Sequence, residues 1–185
     1  MEDARDFVHS DDGLSAELAL TPLEADDPVD SASAAKPLKR ILATASGGGH
    51  WVQLCRLMPA FNGHDLAFLT TVSSNRADVP SARFYVIGSA SLWTKFRLIR
   101  MAFQVFWIVL KERPDVVVST GAAIGYFAIR FGKLFGARTI WIDSIANVKK
   151  LSISGQHAGH HADLWLTQWP QLARPEGPLY LGAVV

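Results

Sequence analysis

Ten residues constrain this chain more than any others. They read Ile41-Leu42-Ala43-Thr44-Ala45-Ser46-Gly47-Gly48-Gly49-His50, an apolar run that meets three glycines and stops on a histidine. Residues 51–61 beyond it read as a helix. A strand, a glycine turn and a helix together make a ready anion site. The first N–H groups of a helix have no internal partner, and its dipole places partial positive charge there. Glycines let backbone approach a phosphate closely and reach positive φ without strain. No Gly-Lys-Ser/Thr follows and no Gly-x-Gly-x-x-Gly spacing is present, so the stretch is neither a P-loop nor a dinucleotide fingerprint. The plainer alternative is a tight turn, but three glycines cost more chain entropy than a turn requires.

Past this stretch, strands and helices alternate. Strands are expected at 39–45, 64–71, 83–87, 115–119, 138–143, 164–168 and 179–181, with helices at 51–61, 92–112, 122–135 and 156–162. Pro114 stops the long helix, and Gly136 suits the residue after the next one. The strands are short, apolar and β-branched, as in a sheet covered on both faces. Alternation of this kind implies parallel pairing and right-handed crossovers, hence an α/β, Rossmann-like doubly wound sheet. Ligands of such sheets sit beyond the carboxyl ends of the strands. Ser46 to His50 follow the first strand, Thr120 and Gly121 the fourth, and Asp143 ends the fifth. All three then open onto one edge.

Charge divides the chain. Residues 1–36 hold ten acidic and two basic residues, a net of about −8, and the remainder carries sixteen basic and seven acidic residues, about +9. The acidic segment cannot bury enough apolar surface to offset its ordering entropy. Residues 1–37 therefore read as a disordered tail and 38–185 as the domain. A basic domain calls for an anionic partner. Its cations are dispersed and no nucleic-acid motif is recognised, so nucleic acid is not the expected partner. Cys55 is the one cysteine, which excludes an internal disulfide and agrees with a reducing compartment. Neither a signal peptide nor a transmembrane segment is expected.

The helix at 92–112 is more apolar than one-sided packing needs. Leu92, Phe96, Ile99, Phe103, Phe106 and Leu110 form a stripe expected to cover the sheet. One residue along, Trp93, Arg97, Arg100, Gln104, Trp107 and Lys111 interleave indoles with cations. That pattern suits a lipid headgroup boundary, and Trp93, Arg97, Arg100 and Trp107 are the candidate membrane-surface residues. The alternative makes the tryptophans core and the cations a solvated rim. His157, His160 and His161 have the spacing of metal ligands on one helix face, but no Cys or carboxylate stands beside them, so no metal site is expected.

Several stretches, in their order, resemble a family of sugar-transferase subunits. The family takes in asparagine-linked glycosylation protein fourteen and bacterial exopolysaccharide relatives of the PssD type. The stretches are ASGGGH at 45–50, PDVVVSTGAA at 114–123, KLFGARTIWID at 133–143, Gln168-Trp169-Pro170 and Tyr180-Leu181-Gly182. The resemblance implies the N-terminal half of a GT-B glycosyltransferase whose other half is a separate subunit carrying the nucleotide-sugar site. It further implies a UDP-sugar donor, a polyprenyl-pyrophosphate-linked saccharide acceptor, no cofactor or bound metal, and residence on the cytoplasmic face of the membrane. The family's eukaryotic members carry an N-terminal membrane helix where this chain has an acidic segment.

Sugar transfer needs a stabilised leaving diphosphate, a deprotonated acceptor hydroxyl and exclusion of water. Backbone N–H groups of Gly47, Gly48, Gly49 and His50, beside Ser46, are the candidate phosphate cradle, for donor or acceptor. His50 is a candidate base or phosphate donor. Asp143 is a candidate base, an orienter of one, or a cap. Thr120 and Gly121 line the acceptor cleft or form only the turn. Trp165 and Trp169, near the end that should meet the other half, form a candidate partner hot spot. The rival reading is a non-catalytic adaptor that brings a transferase to the membrane.

Overall fold

The computed structural model describes residues 38–90 and 95–184. The proposed acidic tail and Trp93 lie outside the described residues. Seven strands, β1 (Arg40–Thr44), β2 (Asp65–Thr70), β3 (Arg83–Val86), β4 (Val116–Ser119), β5 (Arg138–Ile142), β6 (Leu164–Thr167) and β7 (Leu179–Tyr180), form one sheet in the order β3-β2-β1-β4-β5-β6-β7. Every pairing is parallel. The expected Rossmann-like doubly wound sheet is therefore present.

Alternation along the strands sorts the core into two layers. Ile41, Ala43, Phe68, Val118 and Ile142 meet α1 (Gly49–Leu57) on one face. Leu42, Leu69, Val117 and Trp141 meet α2 (Lys95–Glu112), α3 (Ala122–Leu134) and α4 (Ile153–Gly159) on the other. Gly125 and Gly132 let α3 lie close on the sheet, since a Cβ there would strike Ser119 and Val117. Asp163 clamps the start of β5, accepting from the Thr139 amide at 2.9 Å and from Lys133.

Two expectations shift. The last helix starts at Ile153 rather than 156, because the Ser152 hydroxyl accepts from the Gly155 amide at 2.9 Å and caps it there. The second shift is the phase of α2. The stripe expected on the sheet turns outward: Phe96, Ile99 and Phe103 are 82%, 68% and 62% exposed. Met101, Val105 and Val109 are buried in its place. The helix is apolar nearly all round, so hydrophobicity alone leaves its phase open. An inward Glu112 sets it, reaching Arg83 Nε at 2.9 Å and the Tyr85 hydroxyl. The slimmer Met and Val side chains then face the sheet and α3.

Candidate functional site

The strand order reverses direction between β1 and β4, and ligands of doubly wound sheets bind beyond the carboxyl ends of such a pair, beside the loops that leave the two strands. Both loops carry residues singled out above, and they are bonded to each other. His50 Nδ1 lies 2.9 Å from the Thr120 carbonyl oxygen, and the Thr120 hydroxyl donates to the His50 carbonyl at 2.7 Å. A carbonyl only accepts, so Nδ1 carries the proton. Nε2, across the ring, is then a lone pair when the imidazole is neutral and a donor when it is charged.

Glycine makes this clasp possible. Gly121 has φ 141° and is buried, and a Cβ there would lie 2.5 Å from both Cε1 and Nδ1 of His50. Its amide donates to Ser119 Oγ at 3.2 Å. Ala122 follows at φ 66°, an uncommon setting for a residue with a side chain. On the other loop Gly48 caps α1 at φ 63°. No side chain among the described residues caps α1, and Gly48 and Gly49 are exposed, so the amides at the helix start face solvent. Ser46 and Gly47 are half-buried beside them. The arrangement offers amide donors for an oxyanion and one imidazole held in a fixed tautomer.

Asp143 stands apart from this pair. It is 1% exposed and accepts four hydrogen bonds. Oδ1 takes the Ser152 hydroxyl at 2.6 Å and Trp141 Nε1 at 3.3 Å, while Oδ2 takes Asn147 Nδ2 at 3.0 Å and the Ser152 amide at 3.1 Å. The carboxylate thus organises the loop between β5 and α4, in keeping with the capping alternative. The supporting donors were not legible beforehand, because Asn147 and Ser152 lie in an irregular segment.

The tryptophans expected as an exposed cluster are half-buried. Trp165 is roofed by Gly159 and Gly177, where added Cβ atoms would lie 2.6 and 3.1 Å from its ring. Trp169 donates its indole N–H to the Ile145 carbonyl at 2.7 Å. Leu179, Tyr180 and Leu181 are the exposed apolar residues at that end, Leu181 at 73%. His157 and His161 flank the Tyr126 ring instead of converging, and burial and the nearby Arg130 cation hold the His161 imidazole below its usual range.

One polar residue escaped the sequence reading. Gln53, one turn into α1, is 3% exposed, and its amide has no partner among the described residues. A glutamine on an otherwise apolar helix face was its only signal.

On the outer face of α2, Arg97, Arg100 and Trp107 are exposed with the apolar stripe. At its far end Phe106 packs edge-on against Phe131, 5.5 Å between centroids, and tilted against Phe135 at the same distance. Leu134 and Phe135 extend the exposed apolar surface. Among the described residues no helix is long and apolar enough to cross a membrane.

Residues 70–184 match the family described as "Oligosaccharide biosynthesis protein Alg14 like". The chain belongs to that family. The matched stretch takes in α2, the Thr120–Gly121 turn and Asp143, while the glycine loop lies before it. Among curated relatives, the "UDP-N-acetylglucosamine transferase subunit ALG14" of Yarrowia lipolytica is 39% identical over 72 residues, 36% of this chain and 33% of that protein. Its Schizosaccharomyces pombe counterpart is 32% identical over 116 residues, 57% of this chain and 53% of that one. The match thus spans a third to about half of these two relatives. The human protein of the same name is 25% identical across 78% of this chain and 82% of its own.

Among solved structures, Acinetobacter baumannii MurG superposes with a TM-score of 0.64 at 13% identity, covering 77% of this chain and 45% of MurG. A UDP-N-acetylglucosamine 2-epimerase gives 0.59 at 10% identity, covering 73% and 43%. The Alg14-like chain therefore has the Rossmann-like fold of the GT-B class and corresponds to under half of each of these molecules.

Proposed function

We propose that this Alg14-like chain is one half of a UDP-N-acetylglucosamine transferase acting on a lipid-pyrophosphate-linked acceptor. A second subunit supplies the nucleotide-sugar wall of the crevice. The observation that carries the reading is the clasp between His50 and Thr120 at the strand-order reversal, beside the solvent-facing amides at the start of α1. The curated relatives' names supply the donor class.

In this reading His50 Nε2 takes the proton of the acceptor hydroxyl as its oxygen attacks the anomeric carbon. The bond from that carbon to the diphosphate breaks, and UDP leaves with the electron pair. The amides at the start of α1 hold phosphate charge, and Thr120 fixes the tautomer the base needs. Asp143 positions the loop wall. Leu179, Tyr180 and Leu181 offer the other subunit an apolar landing.

The outward face of α2 supports a membrane-surface role. Phe96, Ile99, Phe103 and Trp107 form an exposed apolar line with Arg97 and Arg100 beside it, the arrangement of an interfacial helix. The phase found for α2 gives this reading a broader apolar contact than the tryptophan stripe alone.

The test is reconstitution with the second subunit. His50→Ala is expected to lower transfer by a factor of about 10² to 10⁴, the usual worth of a general base, and the chain alone is expected not to transfer sugar. Full activity of His50→Ala in the complex would leave the adaptor reading in its place. Ordinary turnover by the chain alone would end the split-enzyme reading.

A further inference from the structure

Arg97 and Arg100 are three residues apart and exposed on one side of α2. With Gln104 a turn further on, they line a cavity of about 330 Å³ whose other wall is Gly88 and Ser89, the segment that leaves β3. Among the described residues neither arginine pairs with a carboxylate. The contrast with Arg40, Arg83 and Lys133 is plain, since each of those has its acidic partner. The cavity therefore holds two positive forks, an amide and a hydroxyl, with no counter-charge among the described residues. Guanidinium groups match phosphate oxygens two at a time, and two of them on adjacent turns suit two linked phosphates.

The surroundings narrow the ligand. Phe96, Ile99 and Phe103 interleave with the arginines along the same helix and are exposed, so hydrocarbon has a track leading away from the cavity. The carboxyl end of β3 lies on the same sheet edge as the glycine loop. The two are separated by β2 alone, two strand spacings or about 10 Å. A phosphate-linked sugar ring and the reach of the His50 side chain together cover a gap of that order, from a diphosphate in the cavity to a hydroxyl near His50.

We propose that the Arg97–Arg100–Gln104 cavity is the diphosphate site for the lipid-linked acceptor, with the lipid chain leaving over Phe96, Ile99 and Phe103. The inference rests on the transferase reading and deepens it. It assigns the amides of the glycine loop to the donor, because the acceptor's phosphates are held elsewhere.

The experiment is vesicle flotation of the full chain. One vesicle set is phosphatidylcholine carrying a few mole per cent of polyprenyl diphosphate, and a second carries phosphatidylglycerol at matched charge. The wild-type chain is expected to prefer the diphosphate vesicles. Arg97→Lys/Arg100→Lys keeps the charge and removes the forks, and is expected to lose that preference about tenfold. Arg113→Lys, at the far end of α2, is expected to keep it. Circular dichroism melts establish that each variant is folded.

Equal binding of the wild-type chain to both vesicle sets would overturn the site. So would an intact preference in the double variant, or an equal loss in Arg113→Lys, which means diffuse charge. Transfer by the reconstituted wild-type complex separates the two failures. If transfer proceeds while the double variant keeps its preference, the transferase reading stands and only this site falls.

Discussion

Gly121→Ala is a one-methyl probe of the clasp. The added Cβ would sit 2.5 Å from two atoms of the His50 ring and 3.3 Å from Cγ, where about 3.5 to 4 Å is ordinary contact. The ring has to move by roughly 1 Å, which breaks the 2.9 Å bond from Nδ1 to the Thr120 carbonyl. That bond is worth about 1 kcal/mol. Gly121 also sits at φ 141°, ψ −175°, a region essentially closed to residues with a side chain, at a strain of about 1 to 3 kcal/mol. The total is about 2 to 4 kcal/mol. A domain of this size loses about 2 to 4 °C of Tm per kcal/mol, so a fall of roughly 5 to 15 °C is expected. Calorimetry or circular dichroism reads this directly. In the reconstituted complex, assayed well below its Tm, Gly121→Ala should also approach the activity of His50→Ala. A Tm within about 2 °C of wild type would show that the turn accepts a side chain at no cost, and the reasoning about the clasp would fail.

Three further expectations follow from particular contacts. Asp143→Asn places a donor against two of the four groups that now donate to the carboxylate, and should cost about 1 to 3 kcal/mol in a melt. Activity measured below its Tm should stay within about tenfold, whereas a hundredfold loss at an unchanged Tm would make Asp143 the base. Phe103→Ser/Trp107→Ser removes side chains that are 62% and 53% exposed, so Tm should fall by only a few degrees while vesicle flotation drops; undiminished flotation would remove α2 from the membrane contact. The Asp163 carboxyl is held below its usual range first by Lys133, then by the Thr139 amide and hydroxyl. A folded pKa below the unfolded one adds stability that is complete above about pH 4 and lost as pH falls through the folded value. Lys133→Gln should flatten that acid limb of the Tm-against-pH curve, and an unchanged limb would place the sensitivity elsewhere.

Strand positions were legible because each strand is a short apolar run bounded by turn residues, and the parallel order followed from alternation with helices. The glycine loop and Thr120–Gly121 were placed on one edge from order alone. Their hydrogen-bonded union was not, since it depends on which strands are neighbours. The phase of α2 was misread for a physical reason. Phe96, Ile99 and Phe103 outrank Met101, Val105 and Val109 in bulk and hydrophobicity, yet the inward pull of Glu112 on Arg83 and Tyr85 decides the face. Trp165 and Trp169 looked like surface anchors because a sequence does not reveal a roof. Gly159 and Gly177 supply that roof, and the Ile145 carbonyl ties the second indole.

The clasp across the reversal in strand order has a mechanical consequence. Two reciprocal hydrogen bonds, backed by a glycine with no room for a methyl group, weld the rims after β1 and β4 into a single stiff lip. A stiff lip does not fold over its own ligand. On the proposed split-enzyme reading the second subunit is then the moving jaw, and this lip is the anvil it closes on.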